Sequence, residues 1–271
     1  MPVGGFYSYS FTFDDIPSEE YSLMIYDFGS SKDEGGSFTS AGTVVEDRIA
    51  RRYKSLYYGS KLDEPLEFNL TFGANTRKVR QDKPLDRWDF EVISSWLTGK
   101  DGYRWLTIEQ PDLETIRYRC KITDLKYLTV GWRPWVFTCK VICDSPFAYA
   151  TPETFSYEVN GTLTVPFYNR STYNGFYKPH MEISRINGDS FSITNLTDNN
   201  RVFAFSGLPS SSDLVIDIDN ENEIITNTAD LNLYKNFNFR FFRFLRGDNT
   251  LEMSGNFFVK FTCEFPVNVG G

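Results

Sequence analysis

Along most of the chain, apolar and polar residues alternate with the period of a β-strand. The cleanest case is Leu66, Phe68, Leu70 and Phe72, set against Glu67, Asn69 and Thr71. Upstream, Phe6 to Phe28 reads as two short strands around Asp14-Asp15-Ile16-Pro17, with Tyr21, Leu23 and Ile25 alternating with Ser22, Met24 and Tyr26. Arg48 to Tyr58 alternates weakly, and Lys61 to Pro65 reads as a turn. Tyr103 to Ile108, Ile116 to Leu125 and Val136 to Ile142 are further strands. If Cys120 faces Cys139, the midpoint of that hairpin falls between Thr129 and Val130, near the Gly131-Trp132-Arg133-Pro134 corner. One stretch departs from the period of two. Trp88, Val92 and Trp96, with Leu85 and Ile93 beside them, recur at helical spacing. Asp86 can cap the start of this helix and Gly99 can close it, and the stripe is expected to pack into the core.

Beyond Ser145-Pro146 no helix is needed. Phe155 to Val159 and Thr162 to Pro166 flank Asn160-Gly161, and His180 to Ile186 and Ser190 to Ile193 flank Asn187-Gly188. Both Asn-Gly pairs read as hairpin turns. Arg201 to Phe205, Leu214 to Ile218, Glu223 to Thr226, Phe237 to Leu245 and Asn256 to Phe265 complete a set of short strands. Such a run predicts a jelly-roll β-sandwich. All five Trp residues precede Ala150, which supports a division into domains 1–147 and 148–271.

Two loops interrupt the first half. Gly73 to Lys83 is polar and carries Arg77, Lys78 and Arg80. Gly29 to Gly42 is rich in Gly and Ser and carries both charges, so it reads as a mobile surface loop or an extended arm. As an arm it would contact a neighbouring subunit through Ser30, Ser31, Lys32, Asp33, Glu34, Ser37, Phe38 and Thr39, adding a strand to that neighbour's sheet.

Length and composition narrow the class. The 271 residues allow two domains, and 25 Phe with 16 Tyr suit buried sheet faces. The net charge of −8 argues against gripping DNA or an anionic membrane. It is spread over both halves: 19 basic and 22 acidic residues up to Ala150, nine and 14 beyond it. Met1 to Asp15 has neither the basic start nor the apolar run of a signal peptide, and no apolar stretch is long enough to span a bilayer. Synthesis and assembly in a cytoplasm are therefore expected. Four Cys do not make a disulfide scaffold; buried free thiols are the expectation.

Catalytic chemistry finds little support. His180 is the only histidine, which excludes two-His metal sites, and no Cys has an activating base nearby. Phosphate-binding glycine loops and paired-cysteine motifs are missing. Asp217-Ile218-Asp219-Asn220-Glu221-Asn222-Glu223 is oxygen-rich enough for calcium, but its acids fall at every second position and the glycine of an EF-hand loop is missing, so an acidic hairpin turn without a metal is the expectation. No enzyme and no cofactor are expected. Sugar binding is the alternative: jelly rolls stack sugars on exposed aromatics, and Tyr168, Tyr173 and Tyr177 are the candidates in a domain without Trp.

Several stretches taken in order resemble the siphophage distal tail proteins, a tail-component family of phages and prophages of Gram-positive bacteria. Phe11-Thr12-Phe13-Asp14-Asp15-Ile16-Pro17-Ser18 is similar to the family's opening strand and turn. Leu66 to Phe72, the helix, Tyr103 to Ile108 and Tyr118 to Leu125 are similar to its body. Asp144-Ser145-Pro146-Phe147-Ala148-Tyr149 resembles its domain junction. Phe191 to Leu196, Leu214 to Ile218 and Phe244 to Leu251 resemble its galectin-like sandwich. The resemblance implies a mainly β protein, with a ring-forming N-terminal β-sandwich domain carrying one α-helix and then a galectin-like jelly roll. It implies a structural virion protein at the distal end of the tail, a homohexameric ring with a central channel that DNA passes without specific binding. It also implies partners: the major tail tube protein and tape-measure protein on one face, a tail-associated fibre or lysin protein on the other, and no membrane. The second domain has no insertion large enough for an arm that would hold a receptor-binding protein. Adsorption is therefore expected through the partner below the ring, with the sugar-binding module of a phage or phage-like tail as the alternative.

Overall fold

The structure is a computed structural model and describes residues 10–28, 43–61, 65–75, 85–108, 116–130, 133–209 and 214–268. The candidate arm residues Ser30 to Thr39 lie outside the described residues, as does most of the second polar loop. The chain forms two compact units. One runs to Ala150 and takes in Asn268; the other is Thr151–Val267.

The first unit contains β1 (Phe11–Phe13), β2 (Ile16–Pro17), β3 (Leu23–Phe28), β4 (Thr43–Asp47), β5 (Leu56–Lys61), β6 (Glu67–Ala74), α1 (Arg87–Thr98), β7 (Arg104–Ile108), β8 (Ile116–Val130), β9 (Arg133–Cys143) and β10 (Ala148–Ala150). Its main sheet is antiparallel, in the order β2-β1-β7-β8-β9-β6-β3, with β10 on β8. The alternation in β6 does what a half-buried strand requires. Phe68, Leu70 and Phe72 are buried and stand opposite Val141, Cys139 and Phe137 of β9. Each such side chain contributes roughly 1.5–3 kcal/mol by leaving water.

Helix α1 begins at a reciprocal cap: Asp86 accepts from the Asp89 N–H, and the Asp89 carboxylate accepts from the Asp86 N–H. Leu85, Ile93, Trp96 and Leu97 are buried. The Trp96 indole N–H donates to the Phe13 carbonyl at 3.0 Å, and its ring stacks on Phe11. Trp88 and Val92 do not join them; Trp88 is 75% exposed. The core-facing line drifts through Phe90, Ile93 and Trp96/Leu97, and its 3.6-residue period leaves the Trp88–Val92 edge outside.

Cys120 stands opposite Cys143, not Cys139. The strands run on to Val130 and from Arg133, past the point where the apolar pattern fades, so the partner of Cys120 moves by four residues. All four thiols are free and buried. Burial pushes Cys139 and Cys143 up to about 12, leaving them inert as nucleophiles.

The second unit contains β11 (Glu153–Asn169), β12 (His180–Ser184), β13 (Ser190–Asn195), β14 (Arg201–Ser206), β15 (Ile216–Asp219), β16 (Ile224–Asn227) and β17 (Gly247–Cys263). Among the described residues no helix of the chain is long and apolar enough to cross a membrane. Strand β17 belongs to both layers of the sandwich. Its first half pairs with β13, which continues to β14; its second half pairs with β12, which continues to β15 and β16. Along its other side β11 pairs with it over the full length, from Glu153 opposite Cys263 to Asn169 opposite Gly247.

Two expected turns are therefore something else. Asn160-Gly161 lies inside β11, at a bend, with the Gly161 N–H donating to the Asn256 side chain at 3.0 Å. Asn187-Gly188 joins β12 to β13, which pair with different halves of β17 and not with each other. The expected strand Phe237 to Leu245 forms only isolated bridges, Phe205 to Phe237 and Tyr177 to Phe244. It carries Phe237, Phe241, Phe242 and Phe244 into the core without a ladder because asparagine side chains serve its backbone. The Phe242 N–H donates to Asn220, the Arg243 carbonyl accepts from Asn195, and Asn169 and Asn249 donate to the Leu245 carbonyl.

Candidate assembly surfaces

The least supported piece of the first unit is the ribbon of β4 and β5. These two strands pair with each other and, among the described residues, with no other strand. An isolated two-stranded hairpin is marginal in water unless something packs on it. Several of its large side chains are exposed. Tyr57 and Tyr58 lie where the register shifts, Val45 pairing with Gly59 and Glu46 with Tyr57, and they are 64% and 63% exposed. Val44 and Ile49 are also exposed.

The loop that closes the ribbon, Arg48 to Ser55, carries Arg48, Arg51, Arg52 and Lys54. Glu46 braces its base, accepting from the Ser55 hydroxyl at 2.6 Å and from Arg48 at 3.3 Å. Those two contacts hold the Glu46 carboxyl below the usual carboxylate range. Tyr53 at the tip is 93% exposed, beside a concavity of about 460 Å³ lined by Arg48, Arg52, Tyr53, Lys54 and Ser55.

Helix α1 offers the other bare face. Trp88, Glu91, Val92 and Ser95 line a shallow groove of about 570 Å³, with Ile16 and Tyr21 on its far wall. Three acids, Asp86, Asp89 and Glu91, sit at its N-terminal end, where Glu91 pairs with Arg87 at 3.3 Å.

The segment ending the first unit is held by a set of hydrogen bonds. The Ser145 hydroxyl accepts from the Phe147 N–H and donates to its carbonyl. The Leu66 N–H donates to the Ser145 carbonyl, and the Tyr149 hydroxyl donates to Asp144 at 3.1 Å. Burial raises the Asp144 carboxyl, partly offset by Tyr149 and Arg119.

In the second unit the tyrosine candidates do not share one environment. Tyr168 is exposed. Tyr173 is half-buried, its ring lying against Gly175. Tyr177 is half-buried, accepting from the Glu264 N–H at 2.7 Å with its ring against Phe265. The acidic stretch 217–223 is the end of β15 and the turn into β16, closed by Asn222 donating twice to Asp219. Burial works against the Asp219 charge, but these hydrogen bonds outweigh it and lower its pKa. No cluster of metal-binding side chains occurs among the described residues.

The bare ribbon and the exposed Trp88 were missed in the sequence. Four cations within Arg48–Lys54, in so weakly alternating a stretch, were the available signal.

Comparisons with known proteins point one way. No curated protein matches the chain by sequence. The distal tail protein Dit of phage SPP1, whose structure is described as a paradigm of the hub adsorption apparatus in phages infecting Gram-positive bacteria, superposes with a TM-score of 0.67. That match covers 96% of this chain and 100% of the other at 12% identity, so it speaks to the fold. A protein of the activated phage p2 baseplate gives a TM-score of 0.52 at 11% identity, covering 94% and 97% of the two chains. Family models for a phage tail protein N-terminal domain and a phage tail C-terminal domain match residues 6–145 and 147–263. The chain belongs to this family of phage tail proteins and has the Dit fold.

Proposed function

We propose that the chain is the distal tail hub, a homohexameric ring of first units around a channel that DNA crosses on ejection. One face receives the tail tube and tape-measure proteins, and the other receives a tail-associated fibre or lysin protein. The observation that carries this reading is the extent of the likeness to SPP1 Dit, which takes in both units and leaves none of that chain unmatched. The β4–β5 ribbon supports it, because its exposed Val44, Ile49, Tyr53 and Tyr58 form the kind of apolar surface that marks a contact site. The modest negative charge supports passage of DNA over retention.

Absolute mass by light scattering, with negative-stain images of the same fraction, tests the reading. Six copies in a ring with an open centre are expected, alone or on adding the tube protein. A chain that stays monomeric at high concentration and makes no ring with the tube protein overturns it.

A further inference from the structure

The two bare surfaces of the first unit complement each other. The ribbon tip presents Arg51, Arg52 and Lys54 around an almost fully exposed tyrosine. The α1 face presents Trp88 and Val92 beside Asp86, Asp89 and Glu91, with Arg87 and Lys100 at its margins. One is basic and aromatic; the other is aromatic, with three acids against two bases. Trp, Tyr and Arg are the types in which binding energy concentrates at protein interfaces, and both patches are built from them. A guanidinium over an indole face gains cation–π energy in addition to its pairing with a carboxylate. A head-to-tail ring requires each subunit to carry two different patches that fit one another. This chain has two such patches in a single unit.

From this pairing we infer that the β4–β5 tip of one copy docks on the α1 face of the next. Tyr53 lies against Trp88 and Val92, and Arg51 and Arg52 reach Glu91 and Asp89. The occupant of the groove is thus a second copy of this chain. The inference rests on the ring reading for its stoichiometry, though the contact itself can be tested apart from it.

Two variants of the full chain are prepared, Tyr53→Cys and Val92→Cys. Both positions are exposed, so neither substitution disturbs folding, and the native thiols are buried. The two are mixed and oxidised with copper–phenanthroline. A covalent dimer is expected in the mixture, at several times the yield of a control pairing Tyr53→Cys with Glu158→Cys. A yield equal to the control overturns the docking. In the second arm, Arg52→Glu and Glu91→Arg each lower assembly at least tenfold, and mixing the two chains restores it. Assembly indifferent to both also overturns the docking. Retention of a double-stranded DNA oligonucleotide lost in Arg52→Glu, with assembly intact, assigns the tip to the channel instead. Six-copy rings without the cross-link sink the docking and leave the ring reading standing. The cross-link without rings does the reverse.

Discussion

Gly161 and Gly255 stand directly opposite each other in the β11–β17 ladder, and both have positive φ, +87° and +129°. They mark the place where one pair of strands passes from the first layer of the sandwich to the second. Neither side of the bend is available to an ordinary L-residue without strain.

The two glycines differ in what surrounds them. A Cβ on Gly161 meets nothing within 4 Å, whereas one on Gly255 meets Phe191 at 3.0 Å. Gly161→Ala should therefore cost about 1–2 kcal/mol through backbone strain alone. Gly255→Ala should cost at least about 1 kcal/mol more, because Phe191 is packed among Phe203, Phe205 and Phe257 and must shift. Urea unfolding of the two variants measures the difference; equal midpoints would refute it.

Asn249 is almost fully buried and uses both ends of its amide. Its oxygen accepts from the Leu245 N–H and from Asn195; its nitrogen donates to the Leu245 and Gly247 carbonyls. Asn249→Leu strands all of these groups and should cost on the order of 2–4 kcal/mol. Asn249→Asp should do no better, since a carboxylate cannot donate to two carbonyls. Thermal unfolding that leaves either variant within a degree of the parent would contradict this account.

Trp96 and Trp88 lie two helical turns apart and should respond oppositely. Trp96→Phe removes the donor to the buried Phe13 carbonyl and should cost roughly 1–3 kcal/mol. Trp88→Ser should stay within about 0.5 kcal/mol, as expected of an exposed site. Circular-dichroism melts of the two variants, compared at a concentration where the chain is monomeric, make the check.

Alkaline pH should destabilise the first unit. Burial raises Tyr149 from 10.0 to about 12, and Cys139 and Cys143 from 9.0 to about 12. Unfolding returns these groups to ordinary values, so their contribution is whole below about pH 9 and is lost as pH climbs toward 12. Denaturant midpoints taken between pH 8 and pH 11 should fall, and Tyr149→Phe should flatten the fall above pH 10. A flat profile in the parent would count against the burial of these groups.

Local pattern was legible wherever burial alone set it. Leu66 to Phe72 and the Asp86 cap were readable because their physics lies within a few residues. Phe237 to Leu245 was not, since its alternating phenylalanines look like a strand and only Asn195, Asn220 and Asn249, distant in sequence, replace the ladder. Gly161 read as a turn because a bend inside a long strand and a hairpin both call for glycine; the choice depends on Gly255, about a hundred residues away. On the candidate surfaces, the helix was readable but its exposed edge was not. Spacing cannot tell which side of a wide apolar stripe faces the sheet.

The first and last residues of the β11–β17 ladder, Glu153 and Cys263, are partners across it. The sandwich therefore starts and finishes at one point in space. Such a module can be exchanged between tail genes as a cassette: any replacement whose ends lie one strand spacing apart splices in without altering the path of the remaining chain.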